Sequence, residues 1–186
     1  MKDVLTGNYD NCKVGNRISI SINVPNDYTG LTMSSLIPSV ELIREYTNHI
    51  DSISEQENIY LYSKKYYLEV LKKLDPKKVL KSLHELPILI CNDKEEYYTR
   101  HLVAFWFEHF LGIKTGEIRI NPKRETLTRL KRPEELKLVL EKIIKEDYNM
   151  NGYNSIQAAY LYNQAQEIEA QAVEEAYEMS LKNNWL

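Results

Sequence analysis

The stretch ILICNDKEEYYTRHLVAFWF, residues 88–107, decides the fold of this chain. Its first three residues form a continuous apolar run, which is typical of a central strand that is covered on both faces. After a polar turn, apolar residues recur at helical spacing over 95–111, and Gly112 is a typical residue for ending that helix. The stretch therefore predicts a buried strand that leads through a turn into an amphipathic helix.

Other strands and helices surround this unit in the sequence. Residues 17–25, RISISINVP, alternate apolar and polar side chains, as a strand with one covered face does. Ser39, the capping box that begins at Ser54, and Asp75 followed by a proline are typical helix starts. Residues 116–120, GEIRI, predict a short last strand. Strands that alternate with helices indicate an α/β fold with a partly parallel sheet flanked by helices.

The C-terminal third of the chain is predicted to be helical. One helix begins at Pro133 and ends near residue 148, and a final helix from about 155 to 182 carries a narrow stripe built mainly of alanine. We therefore divide the chain into an α/β domain, residues 1–122, and a C-terminal helical extension, residues 123–186.

The composition is that of a folded globular protein, and it does not favour nucleic acid as a partner. Of the 186 residues, 43% are hydrophobic and 27% are charged, which suits one self-sufficient core. The net charge of −3 argues against a chain that coats nucleic acid, because such binding needs many phosphate contacts. A basic segment, 119–132, and an acidic segment, 154–186, each predict either a contact surface or an ordinary solvated face.

The sequence predicts neither a membrane span nor a metal site. Its longest apolar run is interrupted by Glu108 and His109, and the first residues lack the apolar segment of a signal peptide. Cys12 and Cys91 match no metal-ligand or C-x-x-C spacing. We therefore expect a protein of the reducing cytoplasm with no membrane partner.

Five pieces of the sequence occur in an order and at spacings that are typical of one family. They are TGNYDNCKVGNRISIS, LIPS, YYLEVLKKLDPKKVLKSL, LPILIC and RHLVAFWFEHFLGI. On these pieces, roughly residues 4–120 resemble the family catalogued as domain of unknown function 488. The resemblance implies a Rossmann-like α/β domain. Because the family's activity is not established, the resemblance implies no particular reaction, substrate or cofactor.

The family's pattern at the junction is only partly present in this chain. In the family, the strand is followed by a cysteine, one further residue and a glutamate, and the next helix starts with a Cys-His-Arg triplet. Here Cys91 is present, Asp93 stands at the acidic position, and the triplet reads Tyr98, Thr99, Arg100. The two replaced side chains are those able to act as nucleophile, base or metal ligand, so the resemblance leaves catalysis open.

The junction itself predicts an anion site. Free backbone N–H groups and the helix dipole attract a phosphate at the start of a helix. Arg100 offers a bidentate contact, and Asn92, Asp93, Tyr98 and His101 lie around the same turn. In the structural alternative, Asn92 or Asp93 caps the helix, Arg100 pairs with the acidic residue four positions earlier, and His101 lies in the buried stripe.

The polar segment TGNYDNCKVGNR, residues 6–17, is the second candidate. Its residues Asn8, Tyr9 and Arg17 either line a ligand at the edge of the sheet or make turns and caps. Together, the two segments predict a small phosphate-bearing ligand, such as a nucleotide, at the strand-helix junction near 91–101. The alternative is a protein-interaction module without catalytic activity, which associates with itself or with a protein partner through 123–186.

Overall fold

The computed structural model describes residues 3–10, 12–13, 15–92, 99–121, 126–130 and 133–152, together with helical positions 158, 166, 170–175, 178 and 179. The strands are β1 (Val4–Asn8), β2 (Asn16–Ser19), β3 (Leu31–Thr32), β4 (Pro87–Cys91), β5 (Thr115–Asn121) and β6 (Thr126–Leu130). The helices are α1 (Val40–His49), α2 (Glu55–Glu69), α3 (Pro76–Ser82), α4 (Thr99–Leu111) and α5 (Glu134–Asn151).

In the described part of the chain, six strands form one sheet in the order β3-β2-β4-β1-β5-β6. The first five strands in this order run parallel, and β6 pairs antiparallel with β5. Strand β4 lies between β1 and β2 with all of its residues buried, as its continuous apolar run predicted. The predicted α/β fold, Rossmann-like with a partly parallel sheet flanked by helices, is confirmed.

Polar side chains set the helix starts that the sequence predicted. The hydroxyls of Ser39 and Ser54 each accept a hydrogen bond from a backbone N–H in the first turn of α1 and α2. The Asp75 carboxylate accepts two such bonds at the start of α3, where Pro76 is the first helical residue. Gly112 follows α4 at φ +61°, a left-handed conformation that glycine adopts without strain. None of the helices in the described residues combines the length and apolarity of a membrane span.

Alternate residues of the strands face two different hydrophobic clusters. In β4, Leu89 and Cys91 belong to the larger cluster, whereas Ile88 and Ile90 belong to the smaller one. Each of α1 to α5 contributes to the larger cluster, and α4 packs directly on β1, β4 and β5. The smaller cluster includes residues of two connecting segments, Tyr9, Cys12 and Tyr28. We call the two sides of the sheet the helical face and the loop face.

The direction in which each connection crosses the sheet explains why the helices and the loop segments lie on opposite faces. Strand β1 connects to β2 through residues 9–15, the first crossover, and β2 connects to β3 through residues 20–30, the second crossover. Both crossovers lead in one direction across the sheet, whereas the helical connections from β3 to β4 and from β4 to β5 lead in the other. Because connections between parallel strands are right-handed, opposite directions place the two sets on opposite faces.

The predicted domain boundary at residue 122 does not separate two packing units. Strand β6 belongs to the same sheet as β1 to β5, and α5 packs on α2 and α4. The α5 residues in the larger cluster are Leu136, Leu140, Ile143 and Ile144. The described residues between 126 and 151 therefore continue the α/β domain, because their apolar side chains are buried in its core. Most of 153–186 lies outside the described residues, so the prediction of a helical extension there stays a prediction.

The start of the chain differs from the sequence prediction. Residues 6–8 of the expected polar loop form the end of β1, and β2 ends at Ser19, well before the end of the strand predicted over 17–25. Thr6 and Asn8 are buried despite their polarity. Buried polar groups need hydrogen-bond partners, and the partner of Thr6 is a distant carboxylate that local sequence patterns do not show.

Gly30 lies where the second crossover approaches β2 too closely for a side chain. A Cβ at Gly30 would lie 2.6 Å from the Arg17 carbonyl oxygen and would overlap the Tyr28 hydroxyl, whereas a Cβ at Gly116 would meet Leu5 at 3.7 Å. We expect Gly30→Ala to lower the free energy of unfolding by about 1 to 3 kcal/mol. Gly116→Ala should change it by less than about 1 kcal/mol. Urea denaturation measures both, and equal effects would show that the crossover shifts away from β2 without strain.

Candidate functional site

The carboxyl ends of β1 and β4 lie side by side, with Asn8 opposite Cys91. From this point the chain leaves on opposite faces, because β1 continues into the first crossover and β4 continues toward α4. Open α/β sheets usually bind ligands outside the carboxyl ends of strands whose connections diverge in this way. The fold therefore brings Tyr9 and the start of α4 to a typical ligand-binding edge, whereas Arg17 lies near the amino end of β2.

A buried ionic network lies on the helical face of this edge. Arg100 and His101, in the first turn of α4, both contact Glu117 of β5. Arg100 Nη2 donates to Glu117 Oε1 at 3.0 Å and Nε donates to Oε2 at 3.4 Å, a bidentate arrangement. Arg100 Nη1 donates to Cys91 Sγ at 3.2 Å. All four side chains are buried, and Arg100 has 0% exposure.

The Glu117 carboxylate is ionised and surrounded by donors. Burial alone raises the pKa of Glu117, but the hydrogen bond from His101 and the charge of Arg100 outweigh burial and lower the pKa to about 2. Because an ionised carboxylate only accepts, His101 Nε2 donates to Oε2 at 2.9 Å and the Thr6 hydroxyl donates to Oε2 at 2.5 Å. Donors from β1 and α4 therefore converge on one carboxylate of β5.

The Arg100 guanidinium is held in its charged form. Burial lowers the pKa of Arg100, but the neighbouring Cys91 and Glu117 raise it by more, so the net shift is upward. An isolated buried charge would be very unfavourable, and the opposite charge of Glu117 at hydrogen-bond distance removes most of that penalty. These contacts connect the first turn of α4 to three neighbouring strands of the sheet.

The network engages the α4 side chains that were predicted to meet a ligand. Arg100 and His101 direct their N–H groups at Glu117 and Cys91, so a direct contact between Arg100 and a phosphate would require the ion pair to open. At the same helix start, the Thr99 hydroxyl and the Tyr62 hydroxyl form a buried hydrogen bond of 2.7 Å. The observed contacts favour a role for Arg100 and His101 in positioning α4.

A cavity of about 300 Å³ lies between the first and second crossovers. The side chains that line it are mostly polar: Tyr9, Asp10, Lys13, Arg17, Pro25, Asp27 and Tyr28. Tyr9 directly follows β1, and Arg17 lies in β2. Tyr9 and Arg17, two of the predicted ligand contacts, therefore share one cavity, which lies on the opposite face of the sheet from Arg100 and His101.

Tyr28 forms part of one wall of this cavity and contacts two other residues that line it. Its ring packs against Tyr9 in an edge-on geometry with centroids 5.2 Å apart, and the Arg17 guanidinium lies 5.2 Å from the Tyr28 centroid. Burial and the neighbouring Tyr9 raise the pKa of Tyr28 to about 12, so its hydroxyl stays protonated and donates to the Leu31 carbonyl at 2.9 Å. Arg17 also donates to Thr29 at 3.2 Å, which fixes the orientation of the guanidinium.

The predicted site residues divide into two groups on opposite faces of the sheet. Tyr9 and Arg17 line the cavity on the loop face, where the Tyr9 hydroxyl also bonds to a serine of β2. Arg100 and His101 belong to the network on the helical face, and strand alternation places the buried Asn8 on that same face. The sheet therefore separates two groups of residues that the sequence assigned to one site.

The remaining predicted contacts are Asn92, Asp93 and Tyr98. Asn92 is exposed directly after β4, and Asp93 and Tyr98 lie outside the described residues.

Sequence reasoning missed Glu117, although a carboxylate inside the strand-like GEIRI was an available signal. It also missed Tyr28, which has no distinguishing signal among 14 tyrosines. Within the described residues, no group of His, Cys, Asp and Glu has the arrangement of a metal site.

Comparisons of the chain with known proteins give no match. No family model matches the chain, and neither does a curated protein or a solved structure. The resemblance to the family catalogued as domain of unknown function 488 therefore stays a hypothesis that rests on the five quoted pieces. In the structure, Cys91 and Arg100, which carry part of that family's pattern, contact each other.

Loss of the Glu117 carboxylate is expected to destabilise the fold strongly. Glu117→Gln leaves the charge of Arg100 buried and unpaired, which typically costs about 3 to 5 kcal/mol. Glu45→Gln is the matched control, because it removes a carboxylate from the exposed pair with Lys65, where such pairs contribute less than about 1 kcal/mol. Urea denaturation at pH 7 measures both variants. Equal losses of stability would contradict the anchoring role of Glu117.

The stability that Glu117 contributes is expected to disappear in acid. Its pKa falls from 4.5 to about 2 on folding, so the contribution is fully present above pH 4.5 and is lost as the pH falls toward 2. This shift corresponds to about 3 kcal/mol. Denaturation curves of the wild type and Glu117→Gln between pH 3 and pH 7 should therefore converge as the pH falls. A difference that stays constant down to pH 3 would refute the assignment.

Proposed function

We propose that this protein binds a small phosphate-bearing ligand, such as a nucleotide, in the cavity between the two crossovers. The proposal keeps the ligand class that the sequence predicts and moves the direct contacts from α4 to the loop face. The observation that carries it is the placement of Lys13 and Arg17 around one cavity of about 300 Å³ beside the end of β1. Cavities that bind small molecules have volumes of roughly 300 to 1,000 Å³.

Arg17 is the expected phosphate anchor. A guanidinium carries N–H donors in a fixed fork that matches the oxygens of a phosphate, and it keeps its charge at any physiological pH. The contact of Arg17 with Thr29 and its position over the Tyr28 ring hold the group in one orientation. Lys13, which is exposed, adds a second positive charge with a less defined geometry.

The network on the helical face supports this site indirectly. Cys91, at the end of β4, is both a contact of Arg100 and the register partner of Asn8. The residue after Asn8 is Tyr9, from which the cavity wall begins. We infer that Arg100 and Glu117 act as positioning residues, because they fix the strand ends from which the first crossover departs.

We also propose that the protein works in a reducing compartment such as the cytoplasm. Cys12 and Cys91 are both buried thiols that form no disulfide with each other. Cys12 belongs to the cluster on the loop face and Cys91 to the cluster on the helical face, so the sheet lies between them. A fold whose two cysteines form no disulfide is typical of reducing compartments, and this supports the proposal.

Binding is tested by thermal denaturation in the presence of mononucleotides, dinucleotides and cyclic nucleotides. A ligand that binds only the folded state at 100 times its dissociation constant stabilises it by about 2.7 kcal/mol, so at least one compound should raise the melting temperature clearly. Arg17→Gln should weaken binding of that compound by about tenfold or more, since a hydrogen bond to a charged group contributes about 1.5 to 3 kcal/mol. Lys13→Gln should weaken it less.

Arg44→Gln is the matched control, because it removes the same charge from an exposed position on α1 outside the cavity. It should leave binding unchanged. The proposal fails if no compound shifts the melting temperature at millimolar concentration. It also fails if Arg17→Gln and Arg44→Gln bind the compound equally well while both variants remain folded.

A further inference from the structure

We infer that the ligand of this cavity carries a vicinal diol in addition to its phosphate, and that Asp10 and Asp27 recognise the diol. The inference rests on the proposed function and narrows it. It names ribonucleotides as the ligand class, in preference to deoxyribonucleotides and to inorganic phosphate.

The charges around the cavity do not suit a bare phosphate. Lys13 and Arg17 bring two positive charges, and Asp10 and Asp27 bring two negative charges, to the lining of the same cavity. A phosphate with no other groups would meet repulsion from the carboxylates as well as attraction from the cations. A ligand that carries both an anionic group and hydrogen-bond donors offers a complementary partner to side chains of either charge.

The carboxylates come from different segments of the chain. Asp10 lies in the first crossover and Asp27 in the second, so a diol held between the crossovers can be approached by a carboxylate from each of them. A volume of about 300 Å³ leaves space for a sugar or a base beside the phosphate. The cavity therefore matches a ligand larger than the anion that Arg17 and Lys13 attract.

The chemistry of a carboxylate selects the second group of the ligand. An ionised carboxylate only accepts hydrogen bonds, so its partner must donate. Two neighbouring hydroxyls present two donors to the carboxylates, and acidic side chains accept a hydrogen bond from the ribose 2′-hydroxyl in dinucleotide-binding folds. Every ribonucleoside 5′-phosphate and 5′-diphosphate has these hydroxyls, whereas amino donors depend on the identity of the base. The diol is therefore the donor that a nucleotide site can use for any base.

The test compares four ribonucleoside diphosphates, ADP, GDP, CDP and UDP, with their 2′-deoxy counterparts by titration calorimetry. We expect the wild-type protein to bind at least one ribonucleotide about tenfold or more tightly than its deoxy form, because loss of a hydroxyl leaves a carboxylate without its donor. In the double variant Asp10→Ala/Asp27→Ala, which removes both carboxylate acceptors, this ratio should fall to near one. Inorganic phosphate should bind the double variant more tightly than the wild type, since repulsion has been removed.

The ratio of ribonucleotide affinity to deoxyribonucleotide affinity distinguishes recognition of the diol from a structural disturbance of the cavity. A change that merely disturbs the cavity would weaken both members of a pair equally and leave the ratio unchanged, which would overturn the inference. Asp51→Asn, at an exposed position between α1 and α2, is the control and should keep the wild-type ratio. Equal binding of ribo and deoxy forms, with both weakened by Arg17→Gln, would overturn the diol and leave the phosphate site standing. Absence of binding by every compound would overturn both.

Discussion

The buried pair of Arg100 and Glu117 determines where the central helix lies. It joins the first turn of α4 to β5, and Thr6 of β1 and Cys91 of β4 contact the same pair. Helices α3 and α5 pack on α4, and α2 packs on α5. The position of α4 therefore constrains the positions of most helices on the helical face. A buried ion pair adds little net stability over an apolar pair, but it strongly disfavours any arrangement that separates its members.

The parts of the fold that depend on near neighbours in sequence could be predicted. The caps at Ser54 and Asp75 involve backbone groups within three residues, and β4 shows its burial in its own composition. The end of β1 could not be recognised, because Thr6 looks like a loop residue until its partner Glu117, 111 residues away, is known. Strand β6 was missed for a related reason, since it exists by pairing with β5 and its five residues are flanked by charged residues in the sequence.

The candidate site was predicted in its residues better than in its geometry. Tyr9 and Arg17 line one cavity, as residues of a polar segment at a sheet edge do. The sequence could not show that Arg100 lies across the sheet from them, because that depends on strand order and on the direction of each crossover. The expected partner of Arg100 was an acidic residue four positions earlier, but Glu117 is a partner that only the folded chain brings near.

Helices cover one face of the sheet and short loop segments cover the other, so the core and the cavity of the proposed function lie on different faces. The described helices pack together on one side, where a shift of one helix displaces its neighbours because the packing is close. On the other side, the walls around Asp10 and Asp27 are short segments held at both ends by strands. Under the proposed function, substitutions in these segments change what is bound while the helical core stays intact. Such a division allows new specificities to evolve on a constant scaffold.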